Sequence, residues 1–136
     1  MMGNDSFFHE LSFYTLSHKG EEFIHQHIVD AYTAQAANAN TKLIAIYFAL
    51  IGLYLLVEKN YTGKQVQNAH VVLSYQSKNF MPISLPEYRG EIHIEDVLNS
   101  LPGKERDDMI YQWCKSVWRA YKELSKEIEE MAIGVV

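Results

Sequence analysis

The chain has one cysteine, three prolines and no apolar run long enough to span a bilayer, and each shortage excludes something. The lone Cys114 leaves no partner for an internal disulfide and no paired-cysteine metal knuckle. No basic leader followed by an apolar run opens the chain, so no secretory signal is expected and the setting is read as cytoplasmic. Lys and Arg number 12 against 17 Asp and Glu, a net charge of −5. Clustered cations are what a nucleic-acid surface requires, so no nucleic-acid partner is expected. The most apolar stretch, LIAIYFALIGLYLLV from Leu43 to Val57, carries no charge. As a helix it would reach only about 22 Å, short of the roughly 30 Å of bilayer hydrocarbon, so no membrane partner is expected either.

What is present suits a packed core. Hydrophobic residues make up 48 % of 136 residues and charged ones 21 %, the proportions of one globular domain over 1–136. Asn4-Asp5-Ser6 offers cap chemistry for a first helix from about Ser6 to His18, with Phe7, Leu11 and Tyr14 on one stripe. Lys19-Gly20 breaks it, and Glu21-Glu22 open a second helix running to about Ala37. Asn38 to Thr41 is a turn before the apolar third helix, which ends near Lys59. Thr62-Gly63-Lys64-Gln65 is a capping-box pattern for a fourth helix through about Tyr75. It is not a phosphate-binding loop. Pro82, Pro86, Gly90, Pro102 and Gly103 punctuate 78–102, which reads as a wrapping segment. Ile92 to Ile94 alternates as a short extended piece, and Glu95 to Asn99 as a helical turn or two. Ile110, Trp113, Val117, Tyr121, Leu124, Ile128 and Met131 then step at three and four residues along one long helix from about Lys104. Short turns between helices imply antiparallel neighbours. The fold class expected is all-α, an up-and-down bundle of four or five main helices around the third. The charged run from Lys122 to Glu130, with its apolar stripe, admits a homodimer formed through the long C-terminal helix.

The histidines of FIHQHIVDAYTAQ, residues 23–35, are the nearest approach to a site. On a helix, residues two apart point about 160° away from each other, so His25 and His27 cannot grip one metal together. His25 lies among Ile28, Val29, Tyr32 and Ala36 and is expected inside. His27 and Asp30, with Gln26 and Thr33, are expected on the wet side as a solvated pair. Counting from the turns brings Tyr14, His25, Tyr54 and His70 to one level as a candidate polar layer, with His18 and Glu58 as a second group near one end. His25, His70 and Glu58 form a set that could hold a divalent metal such as zinc or iron. No HExxH or ExxH pair supports it, and a hydrogen-bonded core uses the same residues without metal. Ala45, Ala49 and Gly52 give the third helix a face of small residues for close approach.

FIHQHIVDAYTAQ, followed by FALIGLYLLVEKNYTGKQVQNAH, resembles a family of uncharacterised bacterial proteins, a domain of unknown function. The pattern is a histidine, Val-Asp-Ala-Tyr, a glutamine, then an apolar helix ending in Glu and a Thr-Gly turn. It picks out His25, Asp30, Tyr32, Gln35, Glu58, Gly63 and His70 over about residues 9 to 121. Similar sequences often have Gly-Asp-Pro before the second helix and a histidine after the glutamine, where this chain has Lys19-Gly20-Glu21 and Ala36. The resemblance implies a shared helical fold and brings no activity. Two functions are therefore expected in competition. One is a non-enzymatic binding or assembly protein; the other is a small metal-dependent or acid–base enzyme built on His25, His70 and Glu58.

Overall fold

The computed structural model describes residues 2–17, 22–76 and 80–133, with side chains from Ser6 onward. Among them the chain is all-helical and forms no strand. The helices are α1 (Met2–Ser17), α2 (Ile24–Ala36), α3 (Leu43–Lys59), α4 (Gly63–Ser74), α5 (Ile94–Leu98), α6 (Lys104–Ala120) and α7 (Ser125–Ile133), with a 3-10 turn at Lys122–Leu124. No helix among the described residues is long and apolar enough to cross a membrane.

The uncharged run forms the hub. Every residue of α3 from Ile46 to Leu56 except Phe48 is buried, and the helix touches α2, α4, α6 and α7. A helix apolar on all sides is stable only when enclosed on all sides. Asn60, in the left-handed conformation at φ 58°, closes it. Thr62 and Gln65 then build the expected capping box: Gln65 N–H donates to Thr62 Oγ1 (3.2 Å) and Thr62 N–H to Gln65 Oε1 (2.8 Å). Gly63 is required there by close approach. Its N–H donates to the Glu22 carbonyl at 2.6 Å, and a Cβ would lie 1.8 Å from the Phe23 carbonyl oxygen.

Four expectations need correction. α1 starts at Met2, so Asn4, Asp5 and Ser6 lie inside it; cap residues do not stop a helix that has nothing to break it upstream. α2 starts at Ile24 and not at Glu21-Glu22, because Phe23 takes a left-handed conformation (φ 45°) where the backbone meets Gly63. Ile92 to Ile94 makes no strand; His93 precedes α5, and its N–H donates to Asp96 Oδ2. The long C-terminal helix is two helices. The stripe is continuous in sequence, but Tyr121 leaves helical geometry (φ −97°, ψ 22°). Its hydroxyl donates to the Ala34 carbonyl at 2.6 Å, which holds the bend against α2. Beyond the bend, α7 turns Ile128 and Ala132 inward, and the helix packs on α3. The apolar stripe of the C-terminal segment is therefore packed into the core.

Candidate functional site

α2 touches α1, α3, α4 and α6, so most of its circumference meets protein. The face it turns inward keeps Ile28, as expected, but otherwise differs from the one expected. His27 (7 % exposed) and Asp30 (3 %) are buried with Ile28, Ala31, Ala34 and Ala37, while His25, Val29 and Tyr32 are only half-buried. The reason is steric. α2 and α3 approach so closely at Gly52 that a Cβ there would lie 2.0 Å from Asp30 Oδ2 and 3.2 Å from a Val66 methyl. The missing Cβ at Gly52 makes room for the Asp30 carboxylate on this face, beside Ile28 and the alanines, while Val29 and Tyr32 go to the flanks. Hydrophobicity alone ranks the faces the other way. The spacing of Ala31, Ala34 and Ala37 was the available signal.

The two histidines consequently differ. The Thr15 hydroxyl donates to the Ser12 carbonyl (3.1 Å), so His25 Nδ1 donates to Thr15 Oγ1 at 3.0 Å. His27 has no such anchor: its Nδ1 is buried without a partner. Burial pushes the His27 imidazole down to about 4, and lowers His25 as well. His27 is thus neutral at neutral pH. The Cys114 thiol, raised by burial, donates to the His27 backbone carbonyl at 3.6 Å.

Asp30 is the most deeply placed acid among the described residues. Gln26 Nε2 donates to its Oδ1 at 3.1 Å, while Oδ2 has no partner. Burial raises its carboxyl well above the usual range, outweighing the Gln26 hydrogen bond that lowers it. The same Gln26 nitrogen lies 3.5 Å from His70 Nδ1, and His70 Nε2 donates to the Phe48 carbonyl at 2.8 Å. One amide group therefore bridges Asp30 and His70, which fixes His70 as the Nε2–H tautomer.

The other candidates hold the fold together. The Tyr14 hydroxyl donates to Asp107 Oδ1 (2.7 Å) and accepts from the Gly103 N–H (2.9 Å), tying α1 to the start of α6. The buried Tyr54 ring meets Trp118 edge-on at 5.9 Å, and Trp118 Nε1 donates to Glu58 Oε2 at 2.9 Å. Tyr32 stacks on Phe8 with centroids 4.5 Å apart. Gln35 Oε1 accepts from Trp113 Nε1 (2.9 Å), and its Nε2 donates to the carbonyls of Ile92 (2.8 Å) and Arg89 (3.2 Å). Arg89, which sequence reasoning did not single out, returns its guanidinium to the Gln35 and Ala37 carbonyls at the end of α2. A cation on those carbonyls satisfies orphan acceptors and opposes the helix dipole. This pair pins the wrapping segment to the bundle.

Tyr14, His25 and His70 thus bond to separate partners, Tyr54 packs on Trp118, and no hydrogen bond among the described residues joins the four as a layer. His18 lies outside the described residues. His25, His70 and Glu58 are engaged with Thr15, Phe48 and Trp118 respectively, and no three His, Cys, Asp or Glu side chains among the described residues are grouped to hold a metal ion. Instead His27 lines a cleft of about 260 Å³ with Glu22, Asn60, Tyr61, Asp107, Tyr111 and apolar residues from α2, α3 and α6.

Residues 5–122 match a family of unknown function (DUF5946). The chain belongs to this family. No curated protein and no solved structure matches it. The matched span contains the whole of α2, α3, α4 and α6, and with them His27, Asp30, Gly52 and Gly63. It stops at the first residue of the 3-10 turn, so α7 lies beyond it.

Proposed function

We propose that the chain is a non-enzymatic binding protein, and that the His27 cleft takes a small organic molecule bearing a hydrogen-bond donor. The observation that carries this reading is the unpartnered His27 Nδ1 on a cleft-lining ring. More than nine in ten buried polar groups are hydrogen-bonded, and leaving one unsatisfied costs about 1–3 kcal/mol. A neutral imidazole donates at one nitrogen and accepts at the other; with the proton on Nε2, Nδ1 is the acceptor, and a ligand donor that displaced the side chains covering it would relieve that cost. The carboxylates of Glu22 and Asp107 favour a cationic donor, and Tyr61 and Tyr111 favour an aromatic body beside it.

Benzylamine is a suitable probe, followed by NMR titration at neutral pH. The native chain should bind it saturably, His25→Gln should bind it equally well, and His27→Phe should bind it at least about tenfold more weakly. Equal binding by His27→Phe, or no saturable binding of benzylamine or benzyl alcohol by the native chain, overturns the reading.

The rest of the reading is a single helical domain of up-and-down type, placed in the cytoplasm, with no nucleic-acid partner. The net charge of −5 supports the last point. If two copies pair, the exposed Val71 and Val72 of α4 and Tyr75 just beyond its end offer an apolar surface for it, beside the C-terminal helix expected from the sequence. Sedimentation of Tyr75→Lys against the native chain tests that surface.

A further inference from the structure

A second groove, of about 680 Å³, runs beside the first and shares Tyr111 with it. Its charge is opposite. Lys115, Arg119 and Lys122 line it, and spacings of four and three residues place them along one side of α6 and the turn that follows. In a chain with more acids than bases, three cations gathered together would be expected to carry carboxylate partners. They do not: among the described residues the ion pair formed is Lys104–Asp108, at the other end of α6. One carboxylate does enter the groove, that of Glu58. The Trp118 indole N–H holds its Oε2 at 2.9 Å, which leaves Oε1 to accept from a ligand.

We infer that this groove binds a phosphorylated, hydroxyl-bearing small molecule, a sugar phosphate or a nucleotide. The three cations would take the phosphate, by charge-assisted hydrogen bonds that are roughly twice as strong as neutral ones. Glu58 would repel the phosphate and accept from hydroxyl groups, so it gives the ligand a direction as well as a second contact. Trp118, 4 % exposed, forms the floor, and Lys115 lies over the Tyr111 ring at 5.6 Å, so the aromatic residues shape the groove without stacking on the ligand. The volume lies within the roughly 300–1,000 Å³ of small-molecule sites.

The inference does not depend on the His27 reading, and its probes are anions. Calorimetry at physiological salt should show ribose 5-phosphate or ADP binding at least about tenfold more tightly than inorganic phosphate. Replacing Arg119 and Lys122 with Ala, both exposed, should weaken either ligand by about tenfold or more. Glu58→Gln should weaken ribose 5-phosphate and leave inorganic phosphate unchanged or tighter. Equal affinity for inorganic phosphate and the two esters, no measurable binding of either ester, or binding indifferent to the Arg119 and Lys122 substitutions overturns the inference.

Discussion

His25 and His27 stand two residues apart on α2 in different environments. His25 sits on the flank toward α1, half-buried, with its Nδ1 bonded to Thr15. His27 faces the interior with Asp30, and each of them keeps a buried atom without a partner. The flank holds polar groups committed to fold contacts, as do the far end of α2 at Gln35 and Arg89 and the junction of α1 with α6 at Tyr14. The inner face holds polar groups that the fold tolerates and does not satisfy. The difference separates residues that merely cross-link the bundle from those available to something else.

The contrast can be broken most severely at Gly52. Leucine there must displace the Asp30 carboxylate and part α2 from α3, so Gly52→Leu should cost about 3 kcal/mol or more in urea denaturation, at the upper end of core overpacking. A loss below about 1 kcal/mol would separate the two helices. Next is His27→Ala, expected to cost about 2–3 kcal/mol through the cavity it leaves. His27→Leu fills that space with an apolar group and should be far milder at neutral pH. It should also change the acid limb. A folded-state imidazole pKa held below its unfolded value contributes stability present above about pH 6.5 and lost as the pH falls through about 4. That loss amounts to about 3 kcal/mol for a shift of this size. His27→Leu should lack it.

Asp30 sharpens the same point with the opposite sign. Its folded pKa is raised, so its contribution is fully present below the unfolded value near 4 and is lost as the pH rises through the folded value. Asp30→Asn is the uncharged isostere and should gain in stability relative to the native chain as the pH rises, because the native carboxyl resists ionisation and the amide has no proton to lose. A difference that does not change with pH would mean that the carboxylate is ionised and paired. The smallest effect is expected of His25→Ala, about 1 kcal/mol, the ordinary value of one hydrogen bond. If His25→Ala proved costlier than His27→Ala, the faces of α2 would be exchanged.

Much of the fold was legible because its signals are local. The uncharged run from Leu43 to Val57 reads as an enclosed helix, Thr62 and Gln65 read as a capping box, and Gly103-Lys104 reads as a helix start. The errors arose where a distant contact overrules a local preference. Phe23 takes left-handed geometry because Gly63 approaches it, and Tyr121 bends the last stripe because Ala34 accepts its hydroxyl. The candidate site suffered most. Equal counting from turns can bring residues to one height, but it cannot say which way each helix is rotated. A rotation of about 100° per residue decides whether His25 or His27 is inside. The basic groove has no signal of its own in the sequence, because Lys115, Arg119 and Lys122 gain a shared lining only when the fold sets Glu58 and Trp118 beside them.

The most direct test is the ring titration of the histidines by NMR from pH 8 to pH 3, with His25→Gln and His27→Leu variants to assign the signals. The structure predicts that His27 stays neutral until about pH 4 and titrates below His25. A His27 midpoint near 6.5, with His25 as the ring that resists protonation, would put His27 in solvent and contradict the buried face on which the candidate site rests.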